Sequence, residues 1–166
     1  MKVVIIGGGI AGLTQGIFLK NMGYDVTVFE RSSKVQTRGH GFLMNGEGLK
    51  YLKSLLKVIP NKKVDLFNLK RPNNEDLIKI ILDDWYCLKR VDLIDFLVSF
   101  YDSETLKFGY EFSHFENSGD HVDSVVFNNG MIIKGDLFIG ADGSNSMVRK
   151  SLFGETNYSP IEVKEV

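Results

Sequence analysis

Cysteine, proline and tryptophan are scarce in the 166 residues: one, three and one respectively. The lone Cys87 excludes a disulfide framework and a cysteine-based zinc site, and it suits a reducing cytoplasm. Excess charge is missing too. Twenty basic and 21 acidic residues leave a net −1, so no bulk field draws nucleic acid or an anionic membrane. Repeats, low-complexity tracts and long charge blocks are absent, which excludes disordered and fibrous classes. The longest apolar stretch, Val3–Leu13, is broken by Gly7, Gly8, Gly9 and Gly12 and is too short to span a bilayer. As a secretory leader it has one lysine and no small-residue cleavage site, so structure is expected from Met1 onward.

What is abundant is glycine, 17 residues in clusters, the pattern of loops where backbone approaches something closely. The length fits one domain, or one domain with part of another, and a compact chain of this size buries roughly 70% of its unfolded surface. Val3–Ile6 is a β-branched run bounded by glycine, the signature of a buried parallel strand. Ile10, Leu13, Ile17, Leu19 and Met22 follow at helical spacing, stopped by Asn21–Gly23. Val26, Val28 and Phe29 form a second strand ending at Glu30–Arg31. Residues 1–31 therefore read as one parallel β–α–β unit.

Ser32–Met44 reads as a polar loop, and Glu47–Leu56 as a helix with Leu49, Leu52, Leu55 and Leu56 on one face. Val64–Lys70 and Leu77–Asp83 flank the turn-forming Arg71–Asp76, an inserted antiparallel hairpin. Val91–Phe100 places Val91, Ile94, Leu97 and Val98 on one helical face. Leu106–Tyr110 returns as a strand. His114–Phe127 and Met131–Ile133, with turns at Asn117–Gly119 and Asn128–Gly130, form a meander. Leu137–Ile139 is another buried strand, and the tail from Ser151 carries little signal.

Gly7-Gly8-Gly9-Ile10-Ala11-Gly12 matches G-x-G-x-x-G. Alone the motif marks any tight turn. Here it follows a strand, opens a helix, and has Glu30 18 residues beyond Gly12, close to the expected ~20. Gly7 permits the turn, Gly9 lets backbone approach a pyrophosphate, and Gly12 lets helix and strand pack closely. The helix N-terminus offers N–H donors and the positive end of a dipole to phosphates. Glu30 accepts from ribose hydroxyls, and Gly16 allows further close packing one turn on. The alternative is a tight turn with a solvated glutamate.

The run from Val3 to Arg31 resembles the N-terminus of flavoprotein oxidoreductases that bind FAD through its ADP half. Leu88-Lys89-Arg90-Val91-Asp92-Leu93 resembles the arginine-leucine helix of the group A flavin monooxygenases, the para-hydroxybenzoate hydroxylase-like aromatic hydroxylases that include tetracycline-inactivating enzymes. Gly135 to Arg149, with Gly140-Ala141-Asp142-Gly143, resembles their DG motif, and Thr37–Phe42 resembles the loop passing near their flavin. The resemblance implies an α/β, Rossmann-like FAD/NAD(P)-binding fold with a parallel sheet, a β-meander and an inserted hairpin. It implies FAD as cofactor and NAD(P)H, O₂ and a small organic, aromatic molecule as co-substrates, with oxygen transfer through a flavin C4a-hydroperoxide.

Carried over residue by residue, the resemblance implies cofactor contacts at Gly7, Gly9, Ile10, Ala11, Gly12, Glu30, Arg31, Arg38, Gly41, Arg90, Asp142, Gly143 and Arg149. Arg90 reaches the phosphate region, which suits a planar guanidinium. Asp142 lies at the carboxyl edge of the sheet, where open α/β sheets place ligands. An Asp-Gly turn with a helix cap at Ser144 reads equally from the residues. Arg149 braces that loop or faces nicotinamide phosphate, and Arg38 lies near the flavin or is a solvated loop arginine. His40, His114 and His121 have no metal-ligand spacing. Trp85, Tyr86 and Cys87 line a substrate pocket or belong to the core.

Family members carry much more chain after the DG motif. The expectation is that residues 1–166 form an incomplete FAD-binding domain, a fragment, with 62–86 a hairpin of the substrate-domain sheet. A halogenase-like or geranylgeranyl-reductase-like oxidoreductase, and a cofactor-binding module without turnover, are the rival readings.

Overall fold

The structure is a computed structural model that describes residues 1–35, 40–56, 60–119 and 121–154. In chain order its elements are β1 (Lys2–Ile6), α1 (Ile10–Asn21), β2 (Asp25–Glu30), β3 (Gly41–Asn45), α2 (Gly46–Leu56), β4 (Lys62–Lys70), β5 (Asp76–Lys89), α3 (Arg90–Val98), β6 (Leu106–Phe108), β7 (Phe112–Ser118), β8 (His121–Phe127), β9 (Ile132–Lys134), β10 (Leu137–Gly140) and α4 (Met147–Phe153).

The central sheet has the order β10-β1-β2-β6, and every neighbour pair is parallel. Its middle strand, β1, is apolar at each of Val3, Val4, Ile5 and Ile6 because both faces are covered. Strand alternation sends Val3 and Ile5 to one side and Val4 and Ile6 to the other. Val3 and Ile5 join Leu13 and Ile17 of α1, Leu49 and Leu52 of α2, and Leu93, Ile94 and Leu97 of α3. Val4 and Ile6 meet Phe29, Phe112, Val125, Phe127 and Val148. The result is three layers: helices, parallel sheet, and the meander β7-β8-β9 with α4. The α/β, Rossmann-like class read from the sequence holds.

Four local expectations are corrected. The loop assigned to Ser32–Met44 contains β3, which pairs antiparallel with β5 from Gly41↔Lys89 to Asn45↔Trp85. The apolar Phe42 and Met44 earn this pairing by packing on the helical core. The hairpin's second strand therefore runs on to Lys89, giving a three-stranded sheet β3-β5-β4 rather than a lone ribbon. Leu93, omitted from the apolar face of α3, is buried there with Ile94 and Leu97. The tail is helical from Met147 to Phe153, and its N-cap is Ser146, not Ser144.

Candidate cofactor cleft

The carboxyl ends of β1, β2 and β10 open onto one cavity of about 460 Å³. Gly7, Gly9, Glu30, Arg31, Arg90 and Asp142 line it, together with Gly8, Ser32, Tyr110 and Asn145.

The first turn of the cleft is built by contact, not by sequence alone. Gly7 has φ +116°, a conformation that L side chains rarely adopt. A Cβ there would stand 2.3 Å from the Ala141 carbonyl oxygen and 2.8 Å from the Asp142 nitrogen. The turn after β1 and the turn after β10 thus pack backbone to backbone. A Cβ on Gly12 would lie 1.9 Å from the Gly7 carbonyl oxygen, so α1 seats directly on the same turn. Gly16 performs a similar service one turn on: the Tyr101 hydroxyl occupies the gap and donates to the Leu13 carbonyl at 2.5 Å. Burial pushes the Tyr101 phenol well above its ordinary value, so it stays a donor.

Gly9 differs from these. It is the N-cap of α1 in extended backbone, and a Cβ built on it would meet nothing within 4 Å. No side chain caps α1, and no acidic residue sits in its first turn. The leading N–H donors and the dipole's positive end are therefore presented to the cavity without a competing carboxylate.

Glu30 ends β2 directly beside the glycine turn. Its Oε2 accepts from Gly8 N–H at 2.7 Å and its Oε1 from Ser32 N–H at 3.0 Å. Its carbonyl accepts from Tyr110 N–H at 2.9 Å, and Gly109 N–H donates to the Ser32 carbonyl. Tyr110 stacks edge-on against Phe29 and Phe127, with ring centroids 5.0 and 5.2 Å away, and so ties this wall to the meander.

Asp142, on the cavity rim, is also engaged by the chain itself. Its carboxylate accepts from Ser146 Oγ, from Met147 N–H at 2.7 Å and from Val148 N–H at 3.1 Å. Ser146 Oγ in turn accepts from Arg149 N–H at 2.9 Å. The side chain of Asp142 fastens α4 to the cleft rim. Arg149 braces the same loop, donating through Nη2 to the Ser144 carbonyl at 2.8 Å.

The other candidates lie apart. Ile10 packs into the helical core and Ala11 is exposed on α1. Gly12 lies beneath the turn, Gly143 is an exposed residue of the β10–α4 loop, and Gly41 opens β3 beside Leu88. Arg38 lies outside the described residues, as do Thr37 and Gly39. Sequence reasoning missed Gly8, Ser32, Tyr110 and Asn145. Gly8 and Ser32 had a signal, closeness to the fingerprint glycines and to Glu30, and Asn145 lay within the segment that resembles the DG motif; Tyr110 had none.

A parallel sheet with a glycine turn, an uncapped helix N-terminus and an acidic strand end at one edge defines a dinucleotide-binding fold. Comparison with known proteins narrows this. Residues 2–75 match the family described as pyridine nucleotide-disulphide oxidoreductase. Monooxygenase 1 of Arabidopsis thaliana is 32% identical over 154 residues, covering 88% of this chain and 39% of that protein. An FAD-dependent monooxygenase, asL4, of Sarocladium schorii is 30% identical over 170 residues, covering 93% of this chain and 39% of that one. In structure the chain resembles 2,6-dihydroxypyridine-3-hydroxylase from Arthrobacter nicotinovorans, with TM-score 0.79 and 25% identity over 92% of this chain and 39% of that chain. The chain's homologues are FAD-dependent monooxygenases, and it corresponds to their N-terminal part. It spans about two-fifths of the length of the curated relatives it matches.

Proposed function

We propose that this chain forms the ADP-binding half of an FAD site in a flavoprotein monooxygenase acting on an organic, aromatic substrate with NAD(P)H and O₂. The observation that carries the reading is the joint placement of the uncapped α1 N-terminus and the Glu30 carboxylate on one cavity. Phosphate suits the first, because backbone N–H groups and the dipole both favour an anion. Ribose hydroxyls suit the second, because a carboxylate oxygen that holds one amide keeps a further lone pair.

Three features of the cleft support the fit. The side-chain-free wall at Gly9 leaves the room a pyrophosphate needs against the α1 donors. Arg90, at the start of α3, adds a cation to the same cavity. The cavity's size falls within the range of small-molecule sites. Bound FAD would supply the redox chemistry that no protein side chain offers. The chain's own residues would hold the phosphates (the α1 turn, Arg90), orient the ribose (Glu30), and fix the cleft rim (Asp142 and Arg149, through α4). The sheet β3-β5-β4, including residues 62–86, would contribute to the substrate side. The single thiol and balanced charge suit the cytoplasm, and among the described residues no helix is long and apolar enough to cross a membrane.

The test is competition. The purified chain is titrated with FAD by equilibrium dialysis, then challenged with ADP or with FMN. ADP should displace FAD and FMN should not, and Arg90→Ala should weaken both FAD and ADP. Displacement by FMN but not ADP would overturn the assignment.

A further inference from the structure

We infer that Gly8, the residue between the first two fingerprint glycines, is a positioning residue that sets the Glu30 carboxylate for a ribose diol, an inference that rests on the cofactor reading above. The fingerprint pattern leaves this position free. The structure does not. A Cβ on Gly8 would stand 2.8 Å from Glu30 Cβ, 3.2 Å from its Cγ and 3.1 Å from its Oε2. The first of these distances is shorter than side chains tolerate, so something must shift.

Glu30 has little freedom to retreat. Its carbonyl is held by Tyr110 N–H at 2.9 Å, and β2 is paired on both sides, with β1 and with β6. The Phe29 carbonyl just before it accepts from Gly7 N–H at 2.7 Å. The part that yields is the glutamate side chain, and with it the Gly8 N–H···Oε2 bond. Without a side chain at position 8 the carboxylate lies flat against the turn, each oxygen held by one amide, Gly8 on one side and Ser32 on the other. Such an arrangement fixes the direction of the remaining lone pairs before any ligand arrives. A preorganised acceptor loses less freedom on binding than a swinging one. Gly8 and Glu30 therefore act as one recognition unit, although only Glu30 would touch the sugar.

The test uses ADP and 2′-deoxy-ADP as probes on the 166-residue chain by calorimetry, with amide proton shifts read by NMR. The parent should prefer ADP about tenfold, the effect expected of one hydrogen bond to a charged group. In Gly8→Ala the preference should fall to within about twofold, as it should in Glu30→Ala, and the double variant should lose nothing more. Glu30→Asp leaves position 8 untouched but cannot reach the Gly8 amide, so it should lose the preference too; it stands in if Gly8→Ala fails to fold. The Gly8 and Ser32 amide protons should move upfield in Glu30→Ala. Gly8→Ala that weakens both ligands equally, keeping the preference, would overturn the inference while leaving the cofactor reading intact. A parent that binds no ADP, even with amides that respond to Glu30→Ala, would sink the cofactor reading and this inference with it.

Discussion

Two glycines of one motif should fail in opposite ways. Gly9→Val keeps an extended backbone that any residue adopts, and its new side chain enters open space. Valine is a poorer N-cap than glycine by about 1 kcal/mol, and the loss of unfolded-state freedom returns up to about 1 kcal/mol. The net change in stability stays within about 1 kcal/mol, or about 4 °C in Tm for a chain of this length. Gly7→Ala must hold a side chain at φ +116° with its Cβ 2.3 Å from the Ala141 carbonyl oxygen. Backbone strain and overpacking each cost about 1–3 kcal/mol, so about 2–6 kcal/mol is expected, a fall of roughly 4–24 °C. Circular dichroism melts measure the first quantity and ADP calorimetry the second. Gly9→Val should melt like the parent and bind no ADP. If Gly9→Val melts as low as Gly7→Ala, or binds ADP as the parent does, the division between a turn-forming and a ligand-facing glycine is wrong.

Three further outcomes follow from single contacts. Tyr101→Phe keeps the packing at Gly16 but removes the donor to the Leu13 carbonyl, and should lower stability by about 1 kcal/mol, read as about 2–4 °C in a melt. Asp102 accepts from Thr105 Oγ1, Thr105 N–H and Glu104 N–H, chiefly the threonine hydroxyl, and these bonds hold its carboxyl below its ordinary 3.8. A depressed carboxyl stabilises fully above 3.8 and loses that contribution as pH falls through its folded value. The Tm gap between parent and Asp102→Asn should thus be constant from pH 7 to 5 and close below 3.8; a gap that widens on acidification would refute the assignment. Asp142→Ala removes the acceptor for Met147 and Val148 N–H, so these amides should exchange rapidly while those of β1 stay protected, as hydrogen exchange would show.

The central sheet was legible because its signal is local. Val3–Ile6 is apolar throughout, the glycine turn follows at once, and α1 has its stop at Asn21–Gly23. The meander was legible for the same reason, through strand-like runs between the Gly-containing turns at Asn117–Gly119 and Asn128–Gly130. β3 was not, since Gly41–Asn45 carries one charge-free alternation too short to stand out, and it becomes a strand only because β5 lies beside it. The extension of β5 to Lys89 has the same origin. α4 was missed because its start is set by Asp142 and Ser146, capping acceptors that the sequence also permits as a simple turn.

The candidate site divides along the same line. Glu30, Arg90 and the fingerprint glycines were found from spacing and resemblance, and the cavity brings them together. What spacing does not carry is which atoms are already engaged. Gly7 and the Ala141–Asp142 turn are more than 130 residues apart in sequence, yet the backbone of that turn excludes any side chain from Gly7. The DG segment therefore shapes the glycine turn before any ligand contact is considered. Asp142 directs its carboxylate to α4, and Arg149 directs Nη2 to the loop that precedes it. A motif aspartate and arginine that resemble ligand contacts thus act first on the backbone that a ligand would meet. Substitutions at the two should change ADP affinity through the order of the β10–α4 loop, so their effect on binding should track the loss of amide protection at Met147 and Val148. Glu30 substitutions should change affinity with that protection intact, because the Glu30 wall is secured separately, through Tyr110 and the meander.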